Sequence, residues 1–166
     1  NKSIIIENCY FNGGSLITAI NLNSVSNLHI TDCTIRNGSY GVYADVLHNS
    51  RIVNCSITNS SFTGLHARNF NDSTVDTLTI FGTGAHGFWL QDSKNVSIKN
   101  SQIQNITFSG IFIRDSSEIS IDHCIIQNNH ALNSRGINCD GVSLLKIKNT
   151  QIRNISRFGI YFYQTS

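Results

Sequence analysis

The sequence contains no proline and no methionine, and only 13% of its 166 residues are charged. With proline absent and Asn, Ser, Thr and Ile abundant, the composition suits short strands repeated closely and joined by tight polar turns. A net charge of +2 leaves neither a nucleic-acid footprint nor a polybasic membrane patch, so no nucleic-acid partner is expected. No apolar run approaches the roughly 18 residues that a membrane span needs, and no basic, apolar, small-residue leader opens the chain. The initiator methionine is also missing. The chain opens at Asn1, which points to a processed chain or a piece of a longer one. Five cysteines are an odd number, which argues against a fully paired disulfide framework and for buried free thiols.

What is present is a repeat. Gly41, Gly64, Gly87, Gly110, Gly136 and Gly159 are spaced 23, 23, 23, 26 and 23 residues apart, with Ala19 standing in 22 residues before Gly41. Alternating apolar residues divide each period into three strands. The first carries pairs such as Leu28 and Ile30, Val96 and Ile98, or Ile119 and Ile121; Ser50 and Ser73 interrupt it in two periods. The inward parity then slips by one, and the second strand carries Cys33 and Ile35, Cys55 and Ile57, Leu78 and Ile80, or Ser101 and Ile103. A slip of parity in an extended chain marks a bend. The residue at the slip is Asn8, Asp32, Asn54, Thr77, Asn100, His123 or Asn149, and asparagine is the usual non-glycine residue for a left-handed corner. A second polar column, Asn37, Asn59, Asn105, Asn128 and Asn154, closes the second strand, with Gly82 in the remaining place. The third strand starts at each glycine and points Val42 and Ala44, Phe88 and Leu90, or Ile111 and Ile113 inward. Helical spacing fits poorly, because apolar residues at i and i+2 dominate.

Three strands per period without intervening helices predict an all-β solenoid of parallel strands. It forms a single domain over residues 1–166, about seven coils of ~23 residues and roughly 30 Å long at the usual strand spacing. The Gly-Ile-x-Ile strand, the Asn corner and the Asn-Cys-x-Ile-x-Asn strand resemble those of right-handed, single-stranded parallel β-helix proteins of the pectin lyase-like superfamily. The resemblance covers essentially the whole chain and implies the fold. It leaves the activity open, because that superfamily holds lyases, epimerases, hydrolases, tailspikes and non-catalytic adhesins. Strand pattern reaches both ends of the sequence, which suggests a segment of a longer solenoid or a protomer that associates end to end.

In enzymes that resemble this chain the substrate groove lies on the outer face of the glycine-led strand. Two residues after each glycine that face carries Tyr43, His66, Trp89, Phe112, Asn138 and Tyr161; four residues after, it carries Asp45, Arg68, Gln91, Arg114, Asp140 and Tyr163. An exposed aromatic column beside arginines and amides is the composition that stacks on sugar faces and hydrogen-bonds hydroxyls, so the expected partner is a polysaccharide or other glycan. The candidate binding residues are Tyr43, His66, Arg68, Trp89, Gln91, Phe112, Arg114, Asn138 and Asp140.

Catalytic signals are thinner. Asp45 and Asp140 are four coils apart, too far for a glycosidase carboxylate pair. Asn138-Cys139-Asp140-Gly141 is similar to a polygalacturonase motif, and His86-Gly87 loosely to another, but the paired aspartates and the Arg-x-Lys of that family are absent. Asp92 and Asp115 fall one above the other, and with Arg68 and Arg114 nearby they suggest a lyase-like arrangement. In that arrangement Asp92, Asp115 and Arg114 are the catalytic candidates and the two aspartates the calcium candidates. The competing reading of each Asp-Ser pair is turn chemistry, the aspartate bonding its own backbone. His48, His66, His86, His123 and His130 fall in different columns and form no metal cluster, and no cofactor beyond calcium is expected. The longer interval before Gly136 places extra residues, 128–135, beside the groove. Asn-x-Ser/Thr sequons begin at eight asparagines, Asn1 among them, and Asn71 and Asn95 are read as turn-tip glycosylation candidates. The leading expectation is an extracellular or surface-exposed structural or glycan-binding β-helix segment, of an adhesin or filament for example. The alternatives are a polysaccharide lyase, epimerase or hydrolase, and a phage tailspike or viral fibre segment on a virion.

Overall fold

A computed structural model describes residues 3–14 and 16–163. The sequon at Asn1 lies outside the described residues. The chain forms a parallel β-solenoid of about seven turns, with three sheets of seven strands and no helix among the described residues. One turn consists of Lys94–Lys99, Gln102–Ile106 and Ser109–Arg114. Each strand pairs with its counterpart one repeat away, so Ile98 meets Ile121, Ile103 meets Ile126 and Ile111 meets Ile137. Like stacks on like. The β-branched side chains that favour extended backbone are therefore the ones that fill the core, and Ile30, Ile52, Val75, Ile80 and Ile113 are fully buried. Each such side chain contributes on the order of 1.5–3 kcal/mol.

The corner column inferred from the parity slip is left-handed in every coil, with φ between 46° and 53° from Asn8 to Asn149. The second polar column is left-handed too, with Gly82 at 68° in its predicted place. Two further left-handed columns bracket the passage from the third sheet back to the first. One is Ser24, Val46, Asn69, Asp92, Asp115 and Gly141; the other is Asn27, Asn49, Asp72, Asn95, Glu118 and Leu144. Between them lies an inward position that alternation did not assign, occupied by the fully buried Leu47 and Phe70. The third-sheet strands Tyr40–His48 and Thr63–Asn71 are correspondingly long.

Small polar residues tie one coil to the next at these corners. Ser50 Oγ accepts the Leu28 N–H (3.3 Å) and donates to the His48 carbonyl (3.0 Å), and Ser73 accepts from Ser50 N–H and donates to Asn71 O in the same way. Ser93, Ser116 and Ser101 repeat the pattern. The cysteines join this scheme. All five are free, and Cys33, Cys55 and Cys124 each donate from Sγ to the carbonyl two residues earlier, as Ser101 and Thr150 do from Oγ in the same column. In this column cysteine acts as a less polar serine.

The repeat glycine is required for closeness. A Cβ on Gly87 would lie 2.5 Å from the Ile103 methyl and 2.6 Å from the Gly110 carbonyl oxygen, and Gly64 is confined in the same way. Ala19 aligns with Gly41, since Ile20 pairs with Val42.

Candidate functional site

The third sheet positions every outward residue named from the sequence. Its strands are in register, so Tyr43, His66, Trp89, Phe112, Asn138 and Tyr161 form one column and Asp45, Arg68, Gln91, Arg114, Asp140 and Tyr163 form the next. The first column is less open than expected. Its rings pack on one another: His66 lies flat on Trp89 with centroids 4.3 Å apart and planes within 6°, Tyr43 meets His66 edge-on at 5.1 Å, and Phe112 lies 5.6 Å from Trp89. His66 is left 7% exposed and Asn138 8%, while Tyr43, Trp89 and Phe112 are half-buried.

A flanking row makes this packing possible, and alternation from the glycine did not reveal it. Tyr40 and His86 stand one residue before their glycines, and Phe62 and Phe108 two before. Tyr40 contacts Tyr43, Phe62 and His66; His86 contacts Trp89, Phe108 and Phe112. His66 and His86, assigned to separate columns, thus meet across Trp89. The signal available was the recurrence of rings at these two positions. Phe62 and Phe108 remain 41% and 52% exposed, so the row ends in an open apolar margin.

Burial among rings sets the charge state of the histidines. Desolvation lowers the pKa of His66 to about 4, Arg68 assisting and Asp45 opposing. Desolvation, then His66 and Arg135, lowers His86 to about 4 as well. Both are neutral near pH 7. Both ring nitrogens of His66, Nδ1 of His86, Nε1 of Trp89 and Nε of Arg135 are buried with no hydrogen-bond partner among the described residues. Leaving buried donors and acceptors unpaired is costly, and five such atoms gather on this one face.

The second column is a charge ladder. Arg68 Nε lies 3.3 Å from Asp92 Oδ2, which also accepts from Gln91 Nε2 at 3.2 Å. Arg114 Nε lies 3.3 Å from Asp115 and 3.8 Å from Asp140. Asp92 and Asp115 sit at a left-handed corner, as turn chemistry requires, but the backbone bonds there come from Ser93 and Ser116, which donate to the carbonyls of Gln91 and Arg114. The two carboxylates are turned to arginines. No group of three acidic, histidine or cysteine side chains that could hold a metal ion occurs among the described residues.

Near the last coils, Phe112, Arg135, Asn138, Asp140, Tyr161 and Tyr163 line a cleft of about 240 Å³. The Arg135 guanidinium lies 4.4 Å above the Tyr161 ring. The inserted residues 128–135 border this face and are pinned from within: the buried Asn129 accepts the Ile106 N–H at 3.0 Å, and the buried Ser134 donates to the Asn129 carbonyl. Only the tip is open, with Leu132 89% exposed. The sequon residues lie elsewhere. Asn71 ends a third-sheet strand and its Oδ1 accepts the Lys94 N–H at 2.7 Å, whereas Asn95 is exposed and donates to Asp72 at 2.8 Å.

The fold recurs in solved structures. The chain superposes on the A-module of a mannuronan C-5 epimerase from Azotobacter vinelandii with a TM-score of 0.77 and 10% identity, covering 99% of this chain and 58% of that one. It superposes on a periplasmic alginate epimerase with a TM-score of 0.60 and 13% identity, covering 96% and 48%. A proposed glycosyl hydrolase from Parabacteroides merdae gives 0.50 and 13%, covering 93% and 80%. The chain therefore spans about half the length of the two epimerase structures, and at such identities the likeness is one of fold. No curated protein matches it in sequence. The family model of the right-handed β-helix region matches residues 1–134, most of the repeat, and the chain belongs to that family.

Proposed function

We propose that the outer face of the third sheet binds a glycan chain running along the solenoid axis. The observation that carries this reading is the His66–Trp89 stack within a continuous row of rings from Tyr43 to Phe112, edged by the exposed guanidiniums of Arg68 and Arg114. Flat apolar faces rimmed by hydrogen-bonding groups suit a pyranose, whose carbon face is apolar and whose edge is polar. The strand spacing, roughly 4.8 Å, is close to the rise of one sugar in an extended chain. Two of the structural neighbours are named for polysaccharide epimerisation and a third for glycoside hydrolysis, and one is periplasmic; a location outside the cytosol agrees with such a partner.

Trp89 is the sole tryptophan and reports directly on this face. Oligosaccharide titrations followed by its fluorescence and by calorimetry are expected to saturate. Trp89→Ala is expected to weaken binding by tenfold or more, in line with about 2 kcal/mol for a central aromatic anchor, while Trp89→Phe keeps most of it. Equal affinities for the parent and Trp89→Ala would refute the reading.

A second reading, a polysaccharide-active enzyme, draws on the neutral His86 beside Arg135. A neutral imidazole next to a guanidinium can accept a proton while the arginine holds an oxyanion. Unsaturated-sugar absorbance, reducing-end release or a changed uronate composition, lost in His86→Gln, is the expected signature. Polysaccharide unchanged by the parent would leave binding alone.

A further inference from the structure

Resting on the reading that a glycan lies along this face, we propose that the glycan is uncharged, and not a polyuronate. The proposal follows from the balance of charge around the ring row. Four guanidiniums border it, from Arg68, Arg114, Arg135 and Arg157, and four carboxylates, from Asp45, Asp92, Asp115 and Asp140. They cancel, and two of the arginines are already committed to three of the aspartates at 3.3–3.8 Å.

The remaining cations are also engaged. Arg157 donates to Asn133 Oδ1 at 3.1 Å and lies 5.0 Å over Phe158, and Arg135 covers the Tyr161 ring. The remaining carboxylate, Asp45, accepts from Asn69 Nδ2 at 3.3 Å. The histidines at the centre add no charge, since burial keeps them neutral. A polyanion laid along the axis would therefore find no excess of positive potential. At four of the coils it would bring a carboxylate close to an aspartate, and like charges juxtaposed across an interface are costly.

A neutral sugar meets the same residues without that penalty. Its hydroxyls donate to the aspartates, which are acceptors only, and accept from the guanidinium edges, while the existing ion pairs stay closed. Carboxylates alternating with guanidiniums offer both halves of a hydroxyl's hydrogen bonding at each step along the rod.

The test compares two ligand classes of equal length on the whole chain: neutral β-linked hexasaccharides of glucose and mannose, and the hexamers of mannuronate and galacturonate. Binding is read from Trp89 fluorescence and calorimetry at low and physiological ionic strength. A neutral hexamer is expected to bind about tenfold tighter or more than any uronate, with an affinity that changes less than about twofold with salt. Uronates binding as tightly as the neutral hexamers, with affinity falling as salt is added, would overturn the proposal while leaving the glycan-binding reading intact. No signal from either class would remove that reading itself. The double variant Asp92→Asn with Asp140→Asn frees Arg68 of its ion pair, leaves Arg114 only Asp115, and removes two of the four carboxylates, so it is expected to narrow the gap between the classes; an unchanged gap would also count against the charge argument.

Discussion

Lowering the pH should destabilise this protein well before its carboxylates protonate. His66 and His86 have pKa values of about 4 in the folded chain against 6.5 unfolded, because burial among rings disfavours their charged forms. A depressed histidine pKa means that the unfolded chain binds more protons between those two values. The stabilising contribution is thus fully present above about pH 6.5 and is lost as pH falls toward 4. Linkage gives a loss of about 2 kcal/mol per histidine between pH 7 and pH 5, and about 3 by pH 4, if the two titrate independently. Asp76 works in a separate window: hydrogen bonds from Asn100 and Thr77 and the nearby Lys99 outweigh its desolvation and lower its pKa below 3.8. Its contribution is lost only at more acid pH. Urea unfolding at pH 7, 6 and 5, followed by Trp89 fluorescence, should show the midpoint falling across that range. The double variant His66→Gln with His86→Gln, compared with its own value at pH 7, should show little fall. A parent midpoint that does not move between pH 7 and 5, or a variant that falls as far as the parent, would refute the burial argument.

Two further substitutions test the frame. Gly87→Ala places a methyl 2.5 Å from the Ile103 side chain and 2.6 Å from a backbone oxygen that cannot retreat, so a loss of roughly 1–3 kcal/mol is expected in chemical denaturation, against the usual slight gain from replacing glycine in an unstrained position. Asn100→Ala keeps a left-handed φ of 50° on a residue that resists it and removes the hydrogen bond to Asp76, and should cost about 1–2 kcal/mol. Asn100→Gly relieves the conformational part and should recover much of that loss. Equal stabilities of the two variants would show that the corner does not set the preference.

The frame was legible because its determinants are local. The glycine spacing, the alternation and the Asn corners each depend on residues adjacent in sequence, and stacking multiplies them coil after coil. The unpredicted corner at Ser24, Val46 and Asn69 has no common residue type, and a left-handed valine contradicts side-chain preference outright. Tertiary packing overrode propensity there, because turning at Val46 and Asn69 is what brings Leu47 and Phe70 into the core. The site was half legible. Register gave both outward columns, since parity decides which side a residue faces. It did not give the sideways meeting of His86 with Trp89, or the turning of Asp92 and Asp115 to arginine, because those depend on rotamers and on the chain's course around a corner.

The corner hydroxyls give the rod a direction in time as well as in space. In most of these links the backbone N–H of the earlier coil donates to a side chain of the later one: Leu28 to Ser50, Ser50 to Ser73, Phe70 to Ser93, Leu78 to Ser101, Ile106 to Asn129. These five amides are satisfied only by the coil that follows. A chain emerging from its N-terminal side would carry a front of waiting amides, each silenced only when the following coil winds into place. Synthesis and assembly would then advance in the same sense, with the newest turn always the least secure.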